Sequence, residues 1–130
     1  KSGKFKKNEE QNGIEYLPWM MWKDFMFELS KHKYGVQCYQ ASAGQFPLNC
    51  AYFGIPCVGY NDINTQRHLF PDVSVERGDV VGARKLVNRL KNDSEFYNDV
   101  STLSKINYKS MYSEKVFLEN WNKIVEELNG

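Results

Sequence analysis

The stretch from Gln40 to Tyr60 holds the residues whose types and spacing best suit chemistry on a ligand. It reads QASAGQFPLNCAYFGIPCVGY. Gly44 lets the backbone turn tightly ahead of a helix, and Pro47 suits the first turn of that helix. Gly54 stands where the helix would end, and an apolar run follows it. Because a helix N-terminus carries free amides and a positive dipole end, this loop predicts a site for phosphate.

Strands and helices that alternate along the chain would place this loop at one edge of a parallel sheet. Short apolar runs predict strands at residues 14–17, 36–39, 55–60 and 73–75. Helical spacing predicts helices after Pro18, after Gly44 and after an N-cap at Asp79, with two more near the C-terminus. We therefore expect an α/β fold. It would be a three-layer Rossmann-like domain, with a short parallel sheet of about four strands, helices on both faces and a helical C-terminus.

Length and composition allow one folded domain. With 130 residues, of which 42% are hydrophobic, the chain can bury one core. Residues 1–12 are polar and lysine-rich, so we expect a flexible tail there and the folded domain over residues 13–130. The lysines of the tail leave a peripheral association with anionic membranes open.

Charge and cysteine content exclude several classes of function. A formal net charge of +1 argues against nucleic-acid binding. No apolar stretch approaches the roughly 20 residues of a transmembrane helix. Cys38, Cys50 and Cys57 lie in apolar stretches without metal-binding spacing, so we expect reduced core thiols, no metal site and a cytoplasmic protein.

Three loops should meet at the ligand crevice, which in an open parallel sheet lies beyond the carboxyl ends of the strands. In the first loop, Leu17 and Pro18 are apolar and suit a nucleobase pocket. The second loop is the glycine loop, with amides for a diphosphate. The third offers hydrogen-bonding groups for a sugar or acceptor, which are Asp62, Thr65 and Gln66. An Asx turn explains Asp62 equally well, and no catalytic base can be assigned.

Two helices are unusually aromatic. Trp22 and Phe25 fit a core-facing helix, with the alternative that the first turn of this helix lines a ligand pocket. In the last helix, apolar residues are spaced by four, three and four, at Phe117, Trp121, Ile124 and Leu128. If Trp121 belongs to the core, its replacement by Ala should cost about 3 to 5 kcal/mol.

The glycine loop and the chain after it resemble the donor-binding half of GT-B glycosyltransferases. The large retaining family of this group carries the signature E-G-F-G-x-P-x-x-E-A-x-A-x-G-x-P-V-V. Gly44 falls on its second glycine, and Gly54, Pro56 and Val58 fall on its closing G-x-P-V-V. The order downstream is also similar, so the resemblance covers residues 14 to 128, roughly the whole folded part.

This resemblance implies a function, a donor and a missing partner. The chain would be one half of a two-domain glycosyltransferase, inactive without the acceptor-binding domain, with a nucleoside diphosphate sugar as donor and no further cofactor. The signature glutamates fall on Ala41 and Asn49, and the amide of Asn49 can still hydrogen-bond a ribose. The implied donor-binding residues are Ser42, Gly44, Gln45, Phe46, Pro47, Leu48 and Asn49.

A second class of function stays open, a flavodoxin-like or receiver-like interaction domain with the same layered fold. A receiver domain needs clustered aspartates and a lysine at the strand ends. The predicted strand ends here offer Gln40, Ala41, Tyr60 and Asn61 instead, which argues against phosphotransfer.

Overall fold

The computed structural model describes residues 3–38 and 44–130 as an α/β fold that is mostly helical. Its one sheet is parallel and contains three strands in the order β1 (Gly35–Gln37), β2 (Cys57–Tyr60) and β3 (Ser74–Val75). The helices of the described residues are α1 (Gly3–Gln11), α2 (Trp22–Leu29), α3 (Gln45–Phe53), α4 (Asn64–Leu69), α5 (Val80–Asn92), α6 (Ser94–Met111) and α7 (Glu114–Asn129). A 3-10 turn over Pro71–Val73 leads into β3.

Helices cover both faces of this sheet. A Cβ atom at Gly35 would lie 2.9 Å from the Phe46 ring, so this side of β1 meets α3. Val36 points to the other side, because successive residues of a strand alternate, and there it lines a groove with Val80 and Ala83 of α5. The helices α3 and α5 therefore sandwich the sheet, as the α/β prediction requires.

The core lies around β2, whose four residues are all buried. A central strand of a parallel sheet loses water on both faces, which is why it carries an apolar sequence without alternation. Beside it, Leu69 and Phe70 at the end of α4 and Leu90 of α5 are almost completely buried. The sheet is small, and more of the buried hydrophobic residues lie in the helices packed on it than in its strands.

The sheet has three strands where about four were predicted. Residues 14–17 form no strand, and Ile14 and Leu17 are exposed. The prediction of a strand at residues 14–17 rests only on the apolar residues of this segment. A strand also needs a neighbour for its backbone groups, and the described sheet provides none for these residues. Residue 39, predicted as the end of the second strand, lies outside the described residues.

Helix boundaries follow the local signals closely. Gly54 ends α3 with φ 68°, and the Ile55 N–H donates to the Cys50 carbonyl at 2.9 Å, as in a Schellman-type end. Asp79 caps α5 by accepting from the Gly82 N–H at 2.8 Å. Residues 1–12, expected to be a flexible tail, include helix α1.

The last helix differs from the others in its burial. None of the residues of α7 is buried, and Phe117, Trp121 and Leu128 are exposed. Trp121 is therefore not a core residue. Within the described part of the chain, no helix has both the length and the apolar character needed to cross a bilayer.

Candidate functional site

The start of α3 lies at the carboxyl end of the sheet, and Gly44 shapes it. Gly44 is the N-cap residue and has φ 74°, in the left-handed region that favours glycine. The first N–H groups of a helix have no acceptor within the helix, and Pro47 contributes none. The amides of Gln45 and Phe46 therefore have no acceptor within α3, at the positive end of its dipole. The predicted turn and helix start are confirmed.

A contact with α4 fixes this turn. The Thr65 hydroxyl donates to the Gly44 carbonyl at 2.7 Å. A Cβ atom at Gly44 would lie 2.6 Å from the same hydroxyl oxygen, which leaves no room for a side chain. Thr65, predicted for the sugar or acceptor loop, thus acts in this structure by holding the glycine turn in place.

A cavity of about 560 Å³ opens beside the first turns of α3. Its walls come from α2, α3 and α6, which lie far apart in the sequence. The lining residues are Trp22, Lys23, Met26, Gln45, Leu48, Asn49, Tyr52, Phe53 and Tyr108. Three residues of the predicted donor set, Gln45, Leu48 and Asn49, are therefore brought together on one wall.

Two amides form the polar part of this wall. The Gln45 Nε2 donates to Asn49 Oδ1 at 2.9 Å, one helical turn away. Asn49 is only 5% exposed, whereas its position alone, without the family resemblance, suggests an exposed helix residue. Its amide is held by Gln45 at one end, and the other end has no hydrogen-bond partner among the described residues.

The rest of the donor set packs inside. Pro47 is buried, and the Phe46 ring lies against β1. Ser42, with Gln40 and Ala41, lies outside the described residues. Leu17 and Pro18 lie in the exposed segment before α2 and do not line the cavity.

In the third loop, Asp62 already interacts with another residue of the protein. Asp62 accepts a hydrogen bond from Arg77 Nε and forms an ion pair with it. This hydrogen bond raises the pKa of the Arg77 guanidinium above its ordinary value. The guanidinium lies 5.1 Å from the centre of the Tyr60 ring. Both charged side chains are half exposed, at the carboxyl edge of the sheet.

The Gln66 side chain packs against a face of the sheet and not in the crevice at the ends of the strands. Its side chain is fully buried, and Nε2 donates to the Cys57 carbonyl at 2.8 Å and to Ser74 Oγ at 3.2 Å. A Cβ atom at Gly59 would meet this amide at 2.8 Å. The amide thus ties α4 to β2 and β3, and the predicted contact of Gln66 with a ligand stays a prediction.

The cysteines are free thiols, as expected. Cys50 and Cys57 are buried, and Cys38 is partly buried. A hydrogen bond with Cys50, together with burial, raises the pKa of Cys57 well above its ordinary value. Burial likewise raises the pKa of Cys38. The Cys38 and Cys57 thiols therefore stay protonated at neutral pH.

Sequence reasoning missed five residues of the cavity, which are Lys23, Met26, Tyr52, Phe53 and Tyr108. Tyr108 belongs to α6 and contacts the Tyr52 ring edge to face, with 5.7 Å between centroids. No local motif announces this contact, because it joins residues far apart in the chain. The aromatic start of α2 is a usable signal for the cavity wall, because Trp22 lines it, and a ligand in this cavity stays a prediction.

Comparison with protein families, with curated proteins and with solved structures finds no match to this chain.

Proposed function

We propose that this chain is the donor-binding half of a GT-B glycosyltransferase. It would hold a nucleoside diphosphate sugar while the sugar passes to a glycan, lipid or other acceptor bound by a second domain. The observation that carries this proposal is the start of α3, where a left-handed Gly44 at the carboxyl end of a parallel sheet precedes uncapped helix amides. The signature spacing between Gly44 and Gly54 supports it.

The chemistry expected of this site is electrostatic. As the bond between sugar and diphosphate breaks, negative charge builds up on the leaving diphosphate. The amides of Gln45 and Phe46 and the dipole of α3 would stabilise that charge without having to reorganise. The Thr65 hydroxyl, which donates to the Gly44 carbonyl at 2.7 Å, would hold the loop in the required conformation.

A second helix start in the same molecule provides an internal control. The N-terminus of α6 is closed by Asp93, whose carboxylate accepts from the Phe96 N–H at 3.0 Å. A carboxylate in that place both fills the amide site and repels an anion. A diphosphate should therefore choose the start of α3 and leave α6 alone.

Titration of isotope-labelled protein with pyrophosphate, UDP and GDP tests the proposal. We expect the amide signals of Gln45, Phe46 and Leu48 to shift with saturable curves, and the signal of Phe96 to stay in place. No shift at α3 with millimolar ligand would refute donor binding by this chain. That result would favour the interaction-domain alternative.

A further inference from the structure

The cavity between α2, α3 and α6 has the features of a site on which a flat ring can stack. Trp22 is 56% exposed and Tyr52 is 58% exposed, although both line a concave surface. Each ring is braced from one side. Trp22 packs on Phe25 with 6.3 Å between centroids, and Tyr52 packs on Tyr108 at 5.7 Å. Aromatic walls held in this way lose little conformational entropy when a ligand stacks on them.

The polar groups of the cavity are few and available. Asn49 lines the cavity, and Gln45 Nε2 engages only its Oδ1. The Lys23 ammonium has no ion-pair partner within residues 3–38 and 44–130. A mainly apolar cleft with a small number of convergent polar groups is the usual form of a small-molecule site, and 560 Å³ is within the usual size.

The position of the cavity along α3 suggests which ligand fits. Gln45 is the first residue of α3, and Asn49 stands four residues further on, about 6 Å along the axis. A diphosphate on the first-turn amides would therefore have its attached group next to the cavity. Lys23 also lines the cavity and would add positive charge for a diphosphate.

We propose that this cavity takes the base of a nucleoside diphosphate, with the Trp22 and Tyr52 rings as stacking walls and Asn49 as a hydrogen-bonding group at the base or ribose. The proposal rests on the proposed donor function and replaces Leu17 and Pro18 as the nucleobase pocket. An acyl chain would leave the Asn49 amide unpaired, and an unstacked sugar would not need two flat faces. A flat heterocycle would both pair with the Asn49 amide and stack on the two rings.

The test compares UDP and ADP with pyrophosphate on matched variants. Trp22→Leu and Tyr52→Leu keep an apolar side chain and remove the aromatic face. Each should weaken UDP and ADP roughly tenfold, since stacking contributes about that much per base, and should leave pyrophosphate affinity unchanged. Trp121→Leu is the matched control, because Trp121 is also 56% exposed but lies on α7. The wild-type protein should show nuclear Overhauser contacts between base protons and the Trp22 or Tyr52 ring.

The outcomes separate the two proposals. If pyrophosphate and UDP both shift the α3 amides but Trp22→Leu and Tyr52→Leu bind UDP and ADP like the wild type, the base lies elsewhere and only this inference is overturned. An equal loss in Trp121→Leu overturns it as well. If pyrophosphate and the nucleotides leave the α3 amides unchanged, the donor function fails and the base site fails with it. The nuclear Overhauser contacts are measured on the wild-type protein, so they test the base site even if a substituted protein does not fold.

Discussion

In helices α3 and α7, the sequence pattern and the burial of the side chains disagree in opposite directions. The nine residues of α3 show no strong apolar stripe, yet Pro47, Asn49, Cys50 and Ala51 are buried. The sixteen residues of α7 carry a regular stripe, and none is buried. Periodicity thus tells which face of a helix is apolar, but burial depends on whether another element lies against that face. For α3 the sheet and α6 do so, and this is also why its start can be shaped into a site.

The largest expected difference comes from the same substitution made in the core beside α3 and on α7. Leu69, at the end of α4 beside α3, is 0% exposed, and Leu128 of α7 is 81% exposed. Leu69→Ala should lower the free energy of unfolding by about 3 kcal/mol, because it removes buried methyl groups and leaves a cavity. Leu128→Ala should change it by less than about 0.5 kcal/mol. Urea unfolding of both variants measures this, and similar losses would mean that α7 is packed in solution.

Gln66 gives the next largest effect. Gln66→Ala removes a buried amide that donates to the Cys57 carbonyl and to Ser74 Oγ, so we expect a loss of about 2 kcal/mol in unfolding free energy. Asn92→Ala is the control, since the Asn92 amide donates to a backbone carbonyl on an exposed helix surface. If Gln66 instead serves a ligand, Gln66→Ala will weaken UDP binding and leave stability nearly unchanged. Chemical denaturation and a UDP titration distinguish the two roles.

Two glycines with similar positive φ angles separate strain from crowding. Gly44 and Gly13 have φ 74° and 84°, but a Cβ atom at Gly13 would meet nothing within 4 Å. Gly13→Ala should therefore cost only the left-handed strain, about 1 kcal/mol. Gly44→Ala adds the overlap with the Thr65 hydroxyl, for about 2 kcal/mol in all.

A double mutant shows whether the overlap is the cause. In a Thr65→Ala background, Gly44→Ala should cost no more than Gly13→Ala does in the native chain. Thermal or urea unfolding of the four proteins supplies the numbers. An undiminished cost in that background would show that something other than Thr65 crowds the turn.

The caps of α5 and α7 give a smaller contrast. Asp79 Oδ1 accepts from the Gly82 N–H at 2.8 Å, whereas Ser113 Oγ accepts from the Val116 N–H at 3.4 Å. Asp79→Ala should cost about 1 kcal/mol, as a helix cap usually does. Ser113→Ala should cost less than about 0.5 kcal/mol, because its cap hydrogen bond is long, its hydrogen bond to the Lys109 carbonyl lies on an exposed surface, and α7 contributes little packing. Equal costs would show that cap geometry does not govern these two helix ends.

The sequence predicts local structure here better than the assembly of the parts. Gly44, Gly54 and Asp79 mark helix ends by their own backbone and hydrogen-bonding chemistry, so their roles could be read from short stretches. The failed strand at residues 14–17 depended on a neighbour that no local signal can supply. The cavity depended on Tyr108 of α6 reaching Tyr52 of α3, a contact between distant segments.

Trp121→Ala is expected to have the smallest effect, and it tests the comparison most directly. The Trp121 side chain is 56% exposed and α7 has no buried residue, so little apolar area is lost on truncation. Ala also favours the helix by a few tenths of a kcal/mol, which offsets part of that loss. The free energy of unfolding should therefore change by less than about 0.5 kcal/mol. Unfolding at two protein concentrations provides the check, because a loss of about 3 kcal/mol that grows with concentration would mean that copies of the chain cover this face of α7 in solution.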